Sequence, residues 1–463
     1  MFDMLIRNGS AVFETETRSA DIAVKDGKIA AILETGEYAE AAEVIDASGL
    51  IVMPGAIDPH MHLGLYTSWG ESYREDSRRE TIGGMTTMID YHRGKGNYLE
   101  TTADEIAQAE ANSIVDFALS LGLCAKRHLE ELPRYINERG ITSFKFFFDK
   151  QDIAHEFYGL PKEEALTLDK ADLYEILKLL AGLDERLLLC VHCEDPDLFR
   201  HFLAKVRKER PNSGYIGDWD DGRPDFCESS CVAGSMLING EADGNLYIVH
   251  TSAKKSLDVY CALKAAGIPV GKVSMETCPQ YLLLDRDCKA NLCSKVNPPL
   301  RSRADNEALW EGIRSGVIKT IGTDNVPVSR AKKFEKGCTL WDAWVGFSSP
   351  GISLPALVSE GFLKRGIPLH TIAQVLSTNT ARLFNLAGKG EVKVGFDADF
   401  ALVDLNWERT IDESLFFPSD FSIYEGLSFR GWPRYTISRG TVLQKDGVVC
   451  CKPGHGKYIF RKL

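Results

Sequence analysis

The chain of 463 residues has no apolar run approaching the roughly 20 residues that a membrane span requires. Its opening, Met1-Phe2-Asp3-Met4-Leu5-Ile6-Arg7, lacks the basic-then-apolar order of a secretory leader, so a cytoplasmic setting is expected. Basic charge is in deficit: 54 Lys and Arg stand against 66 Asp and Glu, a formal charge of −12. Such a chain repels phosphate backbones and anionic lipid, which sets nucleic acid and membrane surfaces aside as partners. Cysteine is sparse, twelve residues without an even frame, and excludes a disulfide scaffold. Reduced and largely buried thiols are expected instead. No G-x-G-x-x-G follows the first strand and no phosphate loop is found; Gly388-Lys389-Gly390 falls in a β-rich end and reads as a turn. With 44% hydrophobic and 26% charged residues, the composition also excludes a disordered chain.

What is present is a globular pattern in two textures. The length allows about three domains on the usual prior, or one large barrel with a small partner. The first 50 residues read as short strands: Met4–Arg7, an Asn8-Gly9 hairpin signal, Ala11–Phe13, then Asp21–Val24 and Lys28–Ile32 around the turn Lys25-Asp26-Gly27. The last 70 repeat that texture, with Glu391–Gly395, Phe400–Asp404 and Tyr435–Ser438, and turns at Arg439-Gly440 and Lys445-Asp446-Gly447. A small β-sandwich built from both ends, residues 1–53 plus 391–463, is expected.

Between them strands alternate with amphipathic segments. Candidate strands are Ile51–Ile57, Thr86–Asp90, Asp116–Leu121, Thr142–Phe148, Leu187–His192, Leu246–His250, Ile268–Met275 and Val317–Thr323. Candidate helices include Thr102–Asn112, Leu129–Arg139, Lys170–Leu183 and Lys255–Ala266. About eight strands at this spacing predict a (β/α)8 barrel over residues 54–390, an α/β fold, better than an open doubly wound sheet.

The chemistry is concentrated at strand ends. Asp58-Pro59-His60-Met61-His62 follows the apolar run Leu50–Ile57. Residues two apart in an extended strand share a face, so His60 and His62 project together, the start of a zinc-type site. His192 and His250 each end an apolar strand, Asp324 ends Ile318–Thr323, and Lys145 lies inside Thr142–Phe148. In a barrel the C-terminal strand ends converge on one mouth, so these six side chains are expected to meet. An ammonium among Phe144, Phe146, Phe147 and Phe148 is costly to bury, and its pKa falls. A neutral amine can take up carbon dioxide as a carbamate, whose two oxygens can bridge metals roughly 3.5–4 Å apart.

Taken together these segments resemble the amidohydrolase superfamily, specifically the cyclic amidohydrolases: hydantoinase, dihydropyrimidinase, allantoinase and dihydroorotase. The resemblance covers essentially the whole chain and rests on Met53–His62, Gly83–Thr87, Ser143-Phe144-Lys145, Val191–Glu194, Val249–Ser252, Glu276–Tyr281, Asn297–Arg301, Gly322-Thr323-Asp324 and Val394–Asp399. It implies two divalent ions per chain, zinc expected, with manganese, cobalt and iron also matching such ligands. By the same resemblance His60, His62, carbamylated Lys145 (N6-carboxylysine) and Asp324 would hold the first, and Lys145, His192 and His250 the second. Two dications, a carbamate, a carboxylate and a bridging hydroxide sum to roughly +1, which favours an anionic tetrahedral intermediate. The implied reaction is ring opening of a small cyclic amide or ureide by attack of that hydroxide on the ring carbonyl. Asp324 would carry the proton to the leaving nitrogen.

Within the superfamily, Leu63-Gly64 after His62 lacks the arginine that dihydroorotases typically carry there, and Lys145 replaces their common aspartate. Both favour the hydantoinase–dihydropyrimidinase branch, as does Glu276–Tyr281. Three positions depart from that branch: Lys150 where it has a substrate-contacting tyrosine, Asn297 where it has a serine, and Asn325 where a histidine usually follows the aspartate. Asn297 and Lys150 are therefore the candidate substrate-binding residues. Lys150 reads either as an oxyanion or carboxylate ligand or as a surface lysine of the loop. An allantoinase- or dihydroorotase-type activity on an acidic or ureido ring is the alternative, and a non-catalytic assembly protein of the same fold the competing class. Cys190-x-x-Cys193 straddles His192 with opposite parity and is read as chance, and Glu276 as a structural carboxylate under the site. The tail Gly454–Arg461 resembles a subunit-contact segment, implying a homo-oligomer, dimer or tetramer.

Overall fold

A computed structural model describes the chain except residues 94, 149–159, 162, 416 and 418, so the Lys150 loop lies outside the described residues. The first five strands are β1 (Phe2–Val12), β2 (Thr17–Lys25), β3 (Lys28–Leu33), β4 (Ala41–Asp46) and β5 (Ile51–Pro54). The middle of the chain carries β6 (Ala56–Met61), β7 (Met85–His92), β8 (Asp116–Gly122), β9 (Ser143–Phe147), β10 (Leu188–His192), β11 (Asn245–Ile248), β12 (Lys272–Thr277) and β13 (Ile318–Ile321). The C-terminal part adds β14 (Phe400–Thr410), β15 (Ser428–Ser438), β16 (Thr441–Lys445) and β17 (Val448–Val449).

Among the described residues β6 to β13 pair in parallel and in sequence order as one eight-stranded sheet, the (β/α)8 barrel expected from the spacing. The terminal strands form a separate nine-stranded sheet, ordered β17-β16-β15-β14-β5-β1-β2-β3 with β4 beside β1. Most of its pairings are antiparallel; β1 runs parallel to β4 and β5. Alternate residues Met4, Ile6, Ile22, Val24, Phe400 and Leu402 fill a core of its own.

Several local expectations change. Asn8-Gly9 is not a hairpin: β1 runs through it, the register to β2 slips between Ile6 and Gly9, and Asn8 adopts φ 62° with its N–H donated to Asp21. That is a β-bulge, which absorbs one extra residue without reversing the chain. Residues Glu391–Gly395 form no strand. The run Ile51–Ile57 is two strands, because Gly55 donates to Asp399 of the terminal sheet while Ala56 enters the barrel. A Cβ at Gly55 would lie 2.3 Å from the Thr86 hydroxyl, so the crossing between sheets requires glycine. The helix expected over Leu129–Arg139 is broken into Lys126–Glu130 and Leu132–Arg139, where Pro133 has no N–H to continue the ladder. Around the barrel Ser68, Asn97, Asp169, Asp195 and Ser302 open helices by accepting free backbone N–H groups.

At the N-terminal end of the barrel, buried Lys389 donates to Asp116 of β8 (2.6 Å) and to Asp399 (2.8 Å), and pairs with Asp397 (2.9 Å). Arg439 adds contacts to Asp116 and Asp399, tying the two sheets together. The tail closes the same end: Arg461, also buried, donates to Ser143, Gly140 and Leu119. Removing one partner of a buried ion cluster leaves uncompensated charge. Lys389→Met is expected to destabilise the protein by about 3–5 kcal/mol. Urea unfolding followed by fluorescence checks this, and an unchanged midpoint would refute the clamp.

Candidate metal centre

His60 and Lys145 lie in β6 and β9, His192 ends β10, and His62, His250 and Asp324 follow β6, β11 and β13. The fold thus brings all six to the C-terminal mouth. His60 Nε2 lies 3.4 Å from Asp324 Oδ1, His62 Nε2 3.1 Å from the same oxygen, and Lys145 Nζ 3.5 Å from His60 Nε2. His192 Nδ1 and His250 Nε2 are 3.0 Å apart, and the His60 and His250 rings stack at 5.5 Å. Two strand-end residues, His250 (φ 42°) and Asp324 (φ 53°), hold left-handed backbone conformations that side chains rarely adopt.

Burial sets the protonation. It drives the His60, His62 and His250 imidazoles well below their ordinary pKa, so they are neutral at pH 7. It also lowers the Lys145 amine. The reason differs from the expected one. Phe144 and Phe146 alternate to the other face of β9, while Lys145 points into the barrel, 4.9 Å from the Tyr91 ring and in register with Cys190. Cys190 and Cys193 are both buried free thiols, and Cys193 donates to Ser235.

A layer of carboxylates holds these side chains. Glu276, raised by burial to about 7, accepts from His250 N (2.9 Å) and Tyr247 (2.8 Å), and its Oε1 lies 2.8 Å from His60 Nδ1. A neutral His60 that donates from Nδ1 presents an unshared pair at Nε2, facing Asp324. Glu194 Oε2 lies 2.9 Å from His192 Nε2, and Arg223 grips the same carboxylate with two N–H groups, at 3.0 and 2.6 Å. Burial would raise the Glu194 carboxyl, but Arg223 and then His192 outweigh it and hold it well below the carboxylate range. With Nε2 donating to Glu194, His192 turns an unshared Nδ1 pair toward His250, whose own Nδ1 is buried without a partner among the described residues. Ligand atoms of His60, His62 and Asp324 lie within 4.8 Å of one another in a buried site. Neutral imidazoles and a carboxylate with inward unshared pairs are a donor set that suits a divalent cation.

In front of the ligands lies a cavity of about 240 Å³. His62, Lys145, His192, His250 and Asp324 form its polar floor; Leu65, Tyr66, Phe147, Val296 and Val345 line its sides. Asn297 reaches it, with its Oδ1 accepting from Trp219 (3.1 Å), which leaves its NH2 free to donate. Two charged lining residues were not anticipated, Arg93 and Arg223. Arg93 follows β7, and its Nη2 lies 3.1 and 3.3 Å from the two ring nitrogens of His62. Arg223 lies 29 residues from Glu194, on a loop with no strand pattern. The only sequence signal for Arg93 is its position after a strand-end histidine.

Comparison with known proteins agrees with this geometry. Residues 51–443 match the amidohydrolase family. The chain is 34% identical to an allantoinase of Rubrobacter xylanophilus (99% of this chain, 97% of that one) and 31% identical to a D-hydantoinase of Geobacillus stearothermophilus (99% and 96%). A dihydropyrimidinase structure from Brevibacillus agri superimposes with a TM-score of 0.87 at 27% identity, covering 99% of this chain and 98% of the other. Fold, strand-end residues and sequence likeness over nearly the full length thus lead to one conclusion: the chain belongs to the metal-dependent amidohydrolase family.

Proposed function

We propose that the protein opens a cyclic amide or ureide ring by hydrolysis, in the manner of a hydantoinase or dihydropyrimidinase. The observation that carries this reading is the convergence of His60, His62 and Asp324 on one another beside Lys145, with His192 and His250 completing a second group. His60, His62, Lys145 and Asp324 would hold one divalent ion, and Lys145, His192 and His250 the other, with Lys145 carrying a carbamate. Zinc is the expected metal. Bound there, the two ions supply Lewis acidity toward the ring carbonyl and a water ionised near neutral pH.

The chain's own residues do the rest. Burial keeps Lys145 poised as an amine able to add carbon dioxide. Glu276 and the Glu194–Arg223 pair fix ring orientation and tautomer in His60 and His192, so the ligand nitrogens need no reorganisation. Asp324 Oδ1 takes the proton of the attacking water and returns it to the leaving ring nitrogen. Asn297, anchored by Trp219, donates to a ring carbonyl. The apolar walls exclude bulk water from the ring. An allantoinase reading stands second, favoured by the Rubrobacter relative. Assembly as a cytoplasmic dimer or tetramer completes the proposal, on the resemblance of the tail.

Purified protein should carry about two metal ions per chain, by the two-metal logic of such sites. Lys145→Ala should lose them together with activity, and native mass spectrometry should find one added carbon dioxide on the wild type alone. Full turnover without bound metal would overturn the site. Glu194→Gln should weaken metal affinity about 10- to 100-fold by releasing His192, checked by competition with a chelator; unaltered affinity would remove Glu194 from this role. A panel of 5-substituted hydantoins, dihydrouracil and allantoin tests the reaction, and failure to open any of them refutes it.

A further inference from the structure

Among the described residues Arg93 is the cavity's cation without a carboxylate partner. Of the charged residues that line it, Arg223 is neutralised by Glu194, while Asp324 and Lys145 belong to the proposed metal ligation. The contacts of Arg93 are with the two ring nitrogens of His62, and no carboxylate among the described residues lies within ion-pair reach of it. A guanidinium on a neutral imidazole gains less than on a carboxylate, because a hydrogen bond between two charged partners is the stronger one. The contact is also exclusive: a His62 nitrogen that binds a cation cannot accept from Arg93. Once the metal ligation proposed above is made, Arg93 needs another acceptor. Asp324, the cavity's own acidic side chain, is committed to the same centre. The walls on either side, Leu65, Tyr66 and Val345, offer no charge.

We infer that Arg93 binds a carboxylate carried by the substrate, so that the preferred substrates are cyclic amides or ureides with an anionic substituent on the ring. The inference rests on the ring-opening reading and adds the substrate class to it. The planar fork of the guanidinium matches a carboxylate with two parallel N–H···O bonds, a match that neither a neutral ring substituent nor a lysine reproduces. Placement at the end of β7, on the barrel frame, fixes the distance between the anionic group and the scissile carbonyl. The arginine that the sequence lacks after His62 is thereby replaced from the neighbouring strand.

The test is a matched pair of hydantoins, one with a carboxymethyl group at C5 and one with its neutral carboxamide, turned over by the metal-loaded full chain. The wild type should favour the carboxylate in kcat/KM. Arg93→Met should reduce that preference about 10- to 100-fold, the worth of a charge-assisted hydrogen bond, and Arg93→Lys should restore part of it. The preference is a ratio on one preparation, so loss of folded or metal-loaded protein does not enter it. An equal preference in wild type and Arg93→Met overturns the inference and leaves ring opening intact. If neither ring is opened, and dihydrouracil and allantoin also stay closed, the ring-opening reading fails. Calorimetric binding of N-carbamoyl-aspartate to wild type and Arg93→Met then decides the inference: binding lost in the variant supports it, and equal or absent binding overturns it.

Discussion

The site depends on how the barrel closes between its first and last strands. β6 and β13 are the two ends of the eight-stranded order and share no regular ladder among the described residues. They are joined instead by point contacts. Buried Asp58 in β6 accepts from Thr323 N (3.1 Å) and Thr323 Oγ1 (2.6 Å), and His62 N donates to Asn325 O (2.9 Å). Gly322 lets the strands approach, since a Cβ there would lie 2.6 Å from Glu276 and 2.8 Å from His60. This seam places His60 and His62 from one end of the sheet against Asp324 from the other. Residues more than 260 positions apart become neighbours because Asp58 and Thr323 bond.

The same device recurs around the mouth. Segments that leave the strands toward the site are tied by a backbone N–H to a buried carboxylate: Leu63 to Asp90 (2.7 Å), His250 to Glu276 and Ser252 to Glu228 (3.1 Å). Burying so many carboxyls is unfavourable, and it shows in their titration. Burial raises Asp58 to about 7 and Asp76 to about 8, and lifts Asp90 and Glu80 well above the usual range. What the arrangement gives in exchange is rigidity where loops are otherwise mobile. An N–H held by a buried acceptor has no water to exchange with, so these positions just past the strands are fixed. Asn325 extends the network, donating to Asp76 (2.9 Å) and accepting from Ser349 (2.9 Å), work that an imidazole, with one donor and one acceptor on opposite sides, would do in another geometry.

The sequence made the candidate ligands legible because they obey strand periodicity. His60 and His62 share parity, and Lys145 alternates with Phe144 and Phe146, so a period of two sufficed to aim them at one mouth. The barrel was legible for the same reason, as apolar runs spaced for crossovers. Departures arose where tertiary contacts override local pattern. Asn8-Gly9 suits a tight turn, but pairing of β1 along β2 and β4 makes a bulge the better solution. Gly55 divides an unbroken apolar run because two different sheets claim its halves. Arg223 is brought to the site by a loop, and loop geometry leaves little imprint on composition; Arg93 and Glu194 lie just past the ends of β7 and β10, where strand periodicity assigns no partner.

The two ends of the barrel are built from the same groups and differ in what completes them. At the N-terminal end Asp116, Asp397 and Asp399 gather as closely as metal ligands would, yet the Lys389 ammonium already stands among them at 2.6–2.9 Å. Burial would lower that lysine, but the three carboxylates outweigh it and drive its pKa far up, so the cluster is closed over a permanent cation. At the C-terminal end the corresponding lysine, Lys145, faces imidazoles, its Nζ 3.5 Å from His60 Nε2, and there burial wins and favours the neutral amine. One lysine is a finished counter-ion and the other is shifted toward the neutral amine, and the difference lies in how closely carboxylates surround each. That asymmetry is what lets one end of the barrel supply stability while the other retains unshared electron pairs for chemistry.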